Sequence, residues 1–259
     1  MTTLSNRVRS IAPKGVKSAI YKAATGQPVE WLIKALGSST VPHYGCRIGI
    51  DDVEPRMAAS ILTRLYERAE ISLIHRFLPS NLDVVELGGS IGVGTCQIAK
   101  KVPGKRVITV EASPSLSEHI KRNLDRNQMN NVSIVQKAID YTGQPTVRFE
   151  AHQSLSGHVG ADGIEVPATT LSQLLADEEI EEYCLVSDVE GATIPMLVHD
   201  GAALAKCQMI LIEMDKRPYG GKRWTADDIE ELILSYGFRK IDRHGPVAAF
   251  VRKDHQGIL

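Results

Sequence analysis

The chain has 259 residues, of which 43% are hydrophobic and 24% charged, a composition typical of a globular protein and unlike that of a disordered or fibrous chain. Its formal net charge of −1 at pH 7 gives no sign of the basic excess that nucleic-acid-binding proteins show, so we expect no nucleic-acid partner. No apolar run approaches the roughly 18 residues of a membrane-spanning helix, and the first 15 residues lack the apolar core of a signal peptide, so we expect no membrane span and a cytoplasmic location.

The N-terminal segment is strongly basic. Its first 40 residues carry six Lys and Arg side chains against one acid, Glu30, which gives a net charge of +5. Apolar residues recur in it at helical spacing, so we predict a basic helical extension or cap over residues 1–55 and the main domain over 56–259. Two interpretations of the charge stay open: peripheral contact with an anionic membrane surface or a partner, and a cap whose basic face is solvated. We favour the second, and the sequence leaves homo-oligomerisation open.

Beyond this segment, strand and helix patterns alternate. A short strand or hairpin arm at 43–50 precedes a long amphipathic helix at about 56–77. The sequence then predicts strands at 83–87, 106–111, 132–136, 146–150, 164–168, 183–187, 208–214, 238–242 and 247–252. The predicted helices between them lie at 91–101, 114–127, 170–177, 193–204 and 226–236.

This alternation indicates an α/β fold. Short strand–helix–strand repeats need crossover connections, and crossovers produce a parallel sheet. The last two strands are joined only by a turn around Gly245, which is too short for a crossover, so they should form an antiparallel hairpin. The layout is therefore a mostly parallel, Rossmann-like sheet with a C-terminal antiparallel hairpin.

The first strand of this sheet runs into a glycine-rich loop, Glu86-Leu-Gly-Gly-Ser-Ile-Gly92, at the sheet edge where open α/β folds bind ligands. No frame of the loop satisfies the dinucleotide pattern G-x-G-x-x-G, and the GK[ST] of a phosphate loop is absent. An acid followed by spaced glycines suits S-adenosylmethionine, which carries an ammonium and a sulfonium and no pyrophosphate. A second acid, Glu111, ends the next strand 25 residues later, where its two oxygens can accept both ribose hydroxyls. The alternative is a tight structural turn without a ligand.

Four blocks of the sequence resemble the FkbM family of methyltransferases. They are VVELGGSIG at 84–92, the segment 109–139, VPATTLSQLL at 166–175 and SDVEGATIPML at 187–197, the last being the most family-specific. The resemblance covers about residues 54–215. It implies a Rossmann-like class I methyltransferase fold with a seven-stranded sheet, S-adenosylmethionine as cofactor, and O-methylation of a sugar, glycan or glycosylated natural product. Val186 and Ser187 stand where the family often has Lys-Ile, and Thr193 where it often has Glu, which bears on the acceptor and leaves the cofactor assignment intact.

The predicted cofactor site combines the glycine loop, the end of the second strand, the turn that the resemblance implies for the adenine, and the acidic block. Its residues are Glu86, Gly88, Gly89, Ser90, Gly92, Glu111, Ala112, Ala138, Ile139 and Asp188. Because a sugar hydroxyl is a poor nucleophile, we expect Asp188 to act as base or to orient the hydroxyl. Glu190 is predicted to orient Asp188 or to bind the acceptor, the alternative being that it caps the following helix.

Further candidates lie in two loops and at the next strand end. Glu213 is a catalytic candidate that, with Asp188 and Asp215, would form a carboxylate cluster. Such a cluster suits Mg²⁺ or Ca²⁺, but hydrogen bonds to the acceptor are favoured and no metal is predicted. In the polar loop 152–162, His158 is a candidate base, with His152 as an alternative; a solvated loop histidine is the simpler interpretation.

The segment KRPYGGKRW at 216–224 mixes basic and aromatic residues after the strand at 208–214. It is predicted either to stack on a sugar or hold an acidic acceptor, or to form an exposed lid. Three alternatives to a glycan O-methyltransferase also stay open at this point. They are a nucleic-acid methyltransferase, a methyltransferase for another small molecule, and a cofactor-binding protein without catalysis.

Overall fold

The computed structural model describes residues 39–50, 53–151, 157–159 and 163–254. The chain divides into two compact units, Met1–Arg68 and Ala69–Leu259, which are taken separately below. Residues 1–38 of the predicted helical extension lie outside the described residues, and the predicted domain boundary at residue 55 stays a prediction. None of the described helices combines the length and the hydropathy needed to cross a bilayer.

The first unit contains a β-hairpin, in which β1 (Thr40–His43) pairs antiparallel with β2 (Cys46–Gly49). Tyr44 and Gly45 connect the two strands with φ angles of 44° and 81°. Two successive residues with positive φ make the kind of turn whose twist matches that of antiparallel strands. The strand or hairpin arm predicted at 43–50 is therefore a complete hairpin that begins at Thr40.

The prediction of one long helix at 56–77 is wrong. The structure has two helices there, α1 (Pro55–Leu62) and α2 (Arg68–Phe77). The first helix ends in a Schellman motif: the peptide N–H of Leu65 donates to the Ser60 carbonyl at 2.8 Å, and that of Arg64 to the Ile61 carbonyl at 3.0 Å. Arg64 occupies the left-handed position of this motif with φ 58°. Glycine usually stands there, so the sequence carries no visible stop signal.

Strands and helices alternate through most of the second unit. Its strands are β3 (Asp83–Leu87), β4 (Val107–Val110), β5 (Val132–Val135), β6 (Ala138–Ile139), β7 (Thr146–Ala151), β8 (Gly157–Val159), β9 (Ile164–Thr169), β10 (Tyr183–Ser187), β11 (Cys207–Glu213), β12 (Pro218–Tyr219), β13 (Lys222–Arg223), β14 (Phe238–His244) and β15 (Val247–Arg252). The helices that follow α2 are α3 (Val93–Lys101), α4 (Pro114–Arg126), α5 (Leu171–Asp177), α6 (Thr193–His199), a 3₁₀ helix (Gly201–Lys206) and α7 (Ala226–Ser235). The helix predicted at 193–204 is thus divided into α6 and the 3₁₀ turn.

Seven of these strands form one sheet in the order β14-β15-β11-β10-β3-β4-β5. The pairs among β11, β10, β3, β4 and β5 are parallel, whereas β15 is antiparallel to both β11 and β14. Leu87 is in register with Val110 on one side and with Ser187 on the other, and Ser187 is in register with Ile212. The carboxyl ends of four strands therefore meet at one edge, and the predicted mostly parallel sheet with its C-terminal hairpin is confirmed.

Each face of the sheet packs into its own apolar core, because successive strand residues point to opposite faces. Leu87, Leu185 and Ile212 belong to one core, which also takes in residues of α5, α6 and α7. Val84 and Val186 belong to the other core, with residues of α2 and α3. Burial on both faces explains why these strands are continuous apolar runs in the sequence.

A second, smaller sheet lies between β5 and β10 in the chain and has the order β6-β9-β7-β8. The sequence predicts two of its strands, β7 and β9, which pair antiparallel. Residues 157–159, expected to be loop, pair with β7 as β8. Ala112, Ala138 and Phe149 form part of a small core under this sheet, so the end of β4 is packed against it.

Candidate active site

The glycine loop lies where β3, β4 and β10 end together. The peptide N–H of Gly88 donates to the Val110 carbonyl at 2.9 Å, and Gly88 has φ +89°. A Cβ at Gly88 would overlap the carbonyl oxygen of Asp188, and one at Gly89 would come within 2.5 Å of the Thr109 hydroxyl. These glycines are therefore required by the close approach of neighbouring backbone and side chains, independently of any ligand.

The loop then turns sharply into α3. Ser90 and Gly92 both have positive φ, 49° and 83°, and the peptide N–H of Gly92 donates to the Gly89 carbonyl at 2.8 Å. A Cβ at Gly92 would lie 3.0 Å from the Cα of Ile120 on α4. Positive φ is uncommon outside glycine, so Ser90 marks a constrained backbone at the centre of the loop.

Glu111 follows the last residue of β4 and is buried. One carboxylate oxygen accepts the peptide N–H of Ser90 at 2.8 Å, and the other accepts that of Ser113 at 2.8 Å. Burial raises the pKa of Glu111, while the N–H groups of Ser113 and Ser90 lower it. The two bonds hold the carboxylate at the sheet edge and join it to the glycine loop. A carboxylate has about four lone-pair sites, so the peptide N–H groups of Ser90, Ser113 and Ala112 leave acceptor capacity for a hydroxyl of a bound nucleoside.

Glu86 occupies a different environment, although the sequence groups it with the same loop. Its side chain is only 3% exposed and accepts the Thr95 hydroxyl of α3 at 2.6 Å. Burial raises the pKa of Glu86 from 4.5 to about 7, against the lowering effect of the nearby Thr109 hydroxyl and of the hydrogen bond from the Thr95 hydroxyl. Its carboxyl thus links β3 to α3 beneath the glycine loop, and its hydrogen-bond partner is the Thr95 side chain.

The acidic block begins at the end of β10, next to the glycine loop. The peptide N–H of Asp188 donates to the Leu87 carbonyl at 2.9 Å, and the Asp188 side chain is half-buried. Glu190 is exposed. Helix α6 begins with Ala192 at its N-cap and without a side-chain capping bond, so the alternative that Glu190 caps this helix is not what the structure contains.

The next strand end adds a third group of charges. Glu213 is the last residue of β11 and is half-buried, in backbone register with Val247. Asp215 accepts Nε of Arg217 at 2.6 Å and is also paired with Nη2 of the same side chain. No group of three or more potential metal-ligating side chains occurs within the described residues, which gives no support to the carboxylate cluster as a cation site.

Arg217 is a site residue that sequence reasoning did not single out. A Cβ at Gly191, the last residue of the Asp-Val-Glu-Gly block, would lie 2.6 Å from its Nη1. The guanidinium therefore lies directly on the loop that carries Asp188 and Glu190. The available signal was weak: Arg217 is one of four cations in a segment that follows a strand end.

The remaining predicted residues lie in and around the small sheet. Ala138 and Ile139 are buried and form β6, which pairs with β9. Ala138 and Ala112 share one apolar cluster, so these two predicted residues are brought together. His158 is in backbone register with Glu150 in the β7–β8 hairpin, and His152 lies outside the described residues.

A known protein family matches the part of the chain that contains most of the residues described above. The "Methyltransferase FkbM domain" matches residues 87–240, more than half of the chain. No curated protein matches. Among solved structures, the chain is similar to a precorrin-6y C5,15-methyltransferase from Geobacter metallireducens, with 13% identity over 70% of this chain and 84% of that chain and a TM-score of 0.40. It is also similar to a ribosomal protein L11 methylase from Lactobacillus delbrueckii subsp. bulgaricus, with 14% identity, 71% and 77% coverage and a TM-score of 0.43. A magnesium protoporphyrin IX methyltransferase from Synechocystis PCC 6803 with bound S-adenosylmethionine matches at 12% identity, 68% and 72% coverage and a TM-score of 0.41.

Proposed function

The chain belongs to the FkbM family of methyltransferases and uses S-adenosylmethionine, and from this premise we propose that it methylates a hydroxyl group of a sugar, a glycan or a glycosylated natural product. The observation that carries the proposal is the attachment of the acidic block to the cofactor loop. The peptide N–H of Asp188 donates to Leu87 at 2.9 Å, and the Asp188 carbonyl packs on Gly88. The residue that carries this carboxylate is therefore held beside the loop that we assign to the cofactor, where a hydroxyl needs an acceptor for its proton.

The cofactor side of the proposal depends on Glu111. Its carboxylate is fixed by the peptide N–H groups of Ser90 and Ser113, and its remaining acceptor capacity suits a ribose hydroxyl. The backbone of the loop Gly88–Gly92 lies beside this carboxylate. When bound, S-adenosylmethionine supplies a methyl group that its sulfonium has already activated for transfer to a nucleophile.

The acceptor side depends on the carboxylates that follow β10 and β11. We assign to Asp188 the role of orienting the acceptor hydroxyl and taking up its proton as the new oxygen–carbon bond forms. General-base assistance of this kind typically contributes 10²–10⁴-fold to the rate. Glu190 is exposed on the same short loop and Glu213 ends the neighbouring strand, so both suit hydrogen bonds to other hydroxyls of a sugar.

Mass spectrometry of acceptors incubated with the enzyme and S-adenosylmethionine tests the proposal. The panel contains neutral sugars, uronates, sugar phosphates and glycosylated small molecules, with RNA and DNA oligonucleotides as the competing class. We expect a gain of one CH₂ on a sugar oxygen, located by fragmentation and abolished when the cofactor is omitted. Methylation of a nucleobase, or an enzyme that binds the cofactor and methylates no sugar, contradicts the proposal.

A further inference from the structure

The segment that follows β11 places cations at the same sheet edge as the acidic block. Between residues 216 and 224 there are four cations and no acid, the cations being Lys216, Arg217, Lys222 and Arg223. Their positions differ. Lys216, Lys222 and Arg223 are exposed, and the Lys222 ammonium lies 2.5 Å from Asp228 and 4.6 Å from the centre of the Trp224 ring. Arg217 lies against Gly191 of the Asp-Val-Glu-Gly loop.

The guanidinium of Arg217 is only partly used by the protein. Its Nε and Nη2 both contact a single oxygen of Asp215, Oδ2. Its Nη1 lies against Gly191 instead, and a side chain at that position would displace it. A guanidinium has five N–H donors in a fixed plane, so the pairing with Asp215 leaves the Nη1 donors and one Nη2 donor for another acceptor. The Arg217 side chain as a whole is 33% exposed.

The hairpin that follows fixes Arg217 from the other side. The peptide N–H of Trp224 donates to the Arg217 carbonyl at 3.1 Å, and the indole N–H of Trp224 donates to the Tyr219 carbonyl at 3.2 Å. The Tyr219 hydroxyl lies 2.6 Å from Nε2 of His199 on α6. The backbone of Arg217 is thus tied to Trp224, the residue that follows β13, and Tyr219 of the hairpin is tied to α6. A cation held in this way binds an anion at a lower cost in conformational entropy than a freely rotating surface arginine.

We propose that Arg217 selects an anionic acceptor: a hydroxyl-bearing sugar or glycan that also carries a carboxylate or a phosphate. The planar donors of an arginine match both groups, and such pairs are stronger than hydrogen bonds between neutral partners. The acceptor's anion lies on Nη1 and Nη2 of Arg217 while its reactive hydroxyl lies at Asp188. Gly191 is required between them because only a residue without a side chain leaves room for the guanidinium. This inference rests on the proposed sugar O-methylation.

Matched acceptors test it with the full-length enzyme and S-adenosylmethionine. Each neutral sugar of a panel is compared with its uronate and with its 6-phosphate, and kcat/KM is measured for methyl transfer. We expect the better anionic member to exceed its neutral parent at least tenfold, and the uronate and phosphate arms identify which anion is bound. In Arg217→Gln this preference should fall to within about twofold, mainly through a higher KM for the anionic member of each pair.

Two variants serve as controls. Arg223→Gln removes an equal charge from the exposed part of the same hairpin and should keep at least half of the preference. Arg217→Lys keeps the charge without the planar donors and should retain a part of it. If neutral and anionic sugars are methylated equally, or if Arg217→Gln lowers both alike, the inference is overturned while sugar methylation stands. If no sugar is methylated although the cofactor binds, the proposed function fails and this inference fails with it.

Discussion

The two halves of the sheet edge are built differently. At the ends of β3 and β4, the glycine loop and Glu111 are joined by peptide N–H groups, and side chains there are buried. At the ends of β10 and β11, the groups are half-buried or exposed side chains, and Arg217 lies against Gly191 while it pairs with Asp215. The first half is fixed mainly by backbone contacts and suits the cofactor that we assign to it. The second half consists mainly of side chains and suits the acceptor that we propose.

This difference predicts which measurement each substitution changes. Changes at the ends of β10 and β11 should alter turnover and leave cofactor affinity nearly intact. Changes at the ends of β3 and β4 should alter cofactor affinity or the free energy of unfolding. A substitution at the ends of β10 and β11 that weakened cofactor binding, or one at the ends of β3 and β4 that changed turnover alone, would break the comparison.

The largest expected effect belongs to Asp188→Asn. The amide keeps the size of the carboxylate but cannot take up a proton, so turnover should fall by about 10²–10⁴-fold. Cofactor affinity, measured by titration calorimetry, should stay within a few-fold of the wild-type value. Near-normal turnover with an acceptor that the wild-type enzyme methylates would remove Asp188 from the role of base.

Gly88→Ala should have the next largest effect, on stability. Alanine must adopt φ +89° there, and its Cβ would overlap the Asp188 carbonyl. Gly143→Ala is the matched control, because Gly143 has φ +79° and no atom within 4 Å of the added Cβ. Both variants carry a backbone cost of order 1–3 kcal/mol, so the clash alone should make Gly88→Ala about 2 kcal/mol less stable than Gly143→Ala. Equal midpoints in urea unfolding would show that the loop relaxes freely.

Glu111→Ala should weaken cofactor binding by about 1–3 kcal/mol, because it removes charge-assisted hydrogen bonds to the ribose and frees the Ser90 N–H. Calorimetric titration with S-adenosylmethionine measures this. A second titration with the free nucleoside adenosine tests whether the lost contact is with the ribose. A ribose contact predicts a similar loss of affinity for adenosine and for S-adenosylmethionine. An unchanged affinity for both would exclude Glu111 as the ribose acceptor.

The difference between the two halves of the sheet edge also explains which features could be predicted from the sequence. The strands at 183–187 and 247–252 are predicted with their observed bounds, because burial on both faces leaves an uninterrupted apolar run. Glu111 is correctly placed at a strand end for the same reason. The sequence points to the segment 216–224 but does not single out Arg217 within it, because its neighbour Gly191 belongs to another segment and no local pattern records that contact. The helix break at Arg64 was missed because its left-handed position lacks the usual glycine.

Glu86 shows how a correct motif can hide a residue's environment. The sequence places it with the cofactor loop, yet it is the penultimate residue of β3, and strand alternation turns its side chain toward α3. Its carboxyl therefore lies beneath the loop and affects the loop through Thr95. We expect Glu86→Gln to change the pH dependence of stability more than it changes cofactor affinity.

The sign of that pH dependence follows from the two states. Glu86 ionises near pKa 4.5 in the unfolded chain and near 7 in the folded protein, because burial penalises the charged carboxylate. Between these values the folded protein binds more protons than the unfolded chain, so the contribution of Glu86 is full below pH 4.5 and is lost as the pH rises through 7. Glutamine stays neutral throughout and can still accept the Thr95 hydroxyl. The wild-type free energy of unfolding should therefore fall relative to Glu86→Gln by roughly 1–3 kcal/mol between pH 5 and pH 8, and parallel curves in urea titrations would show that Glu86 is charged in the fold.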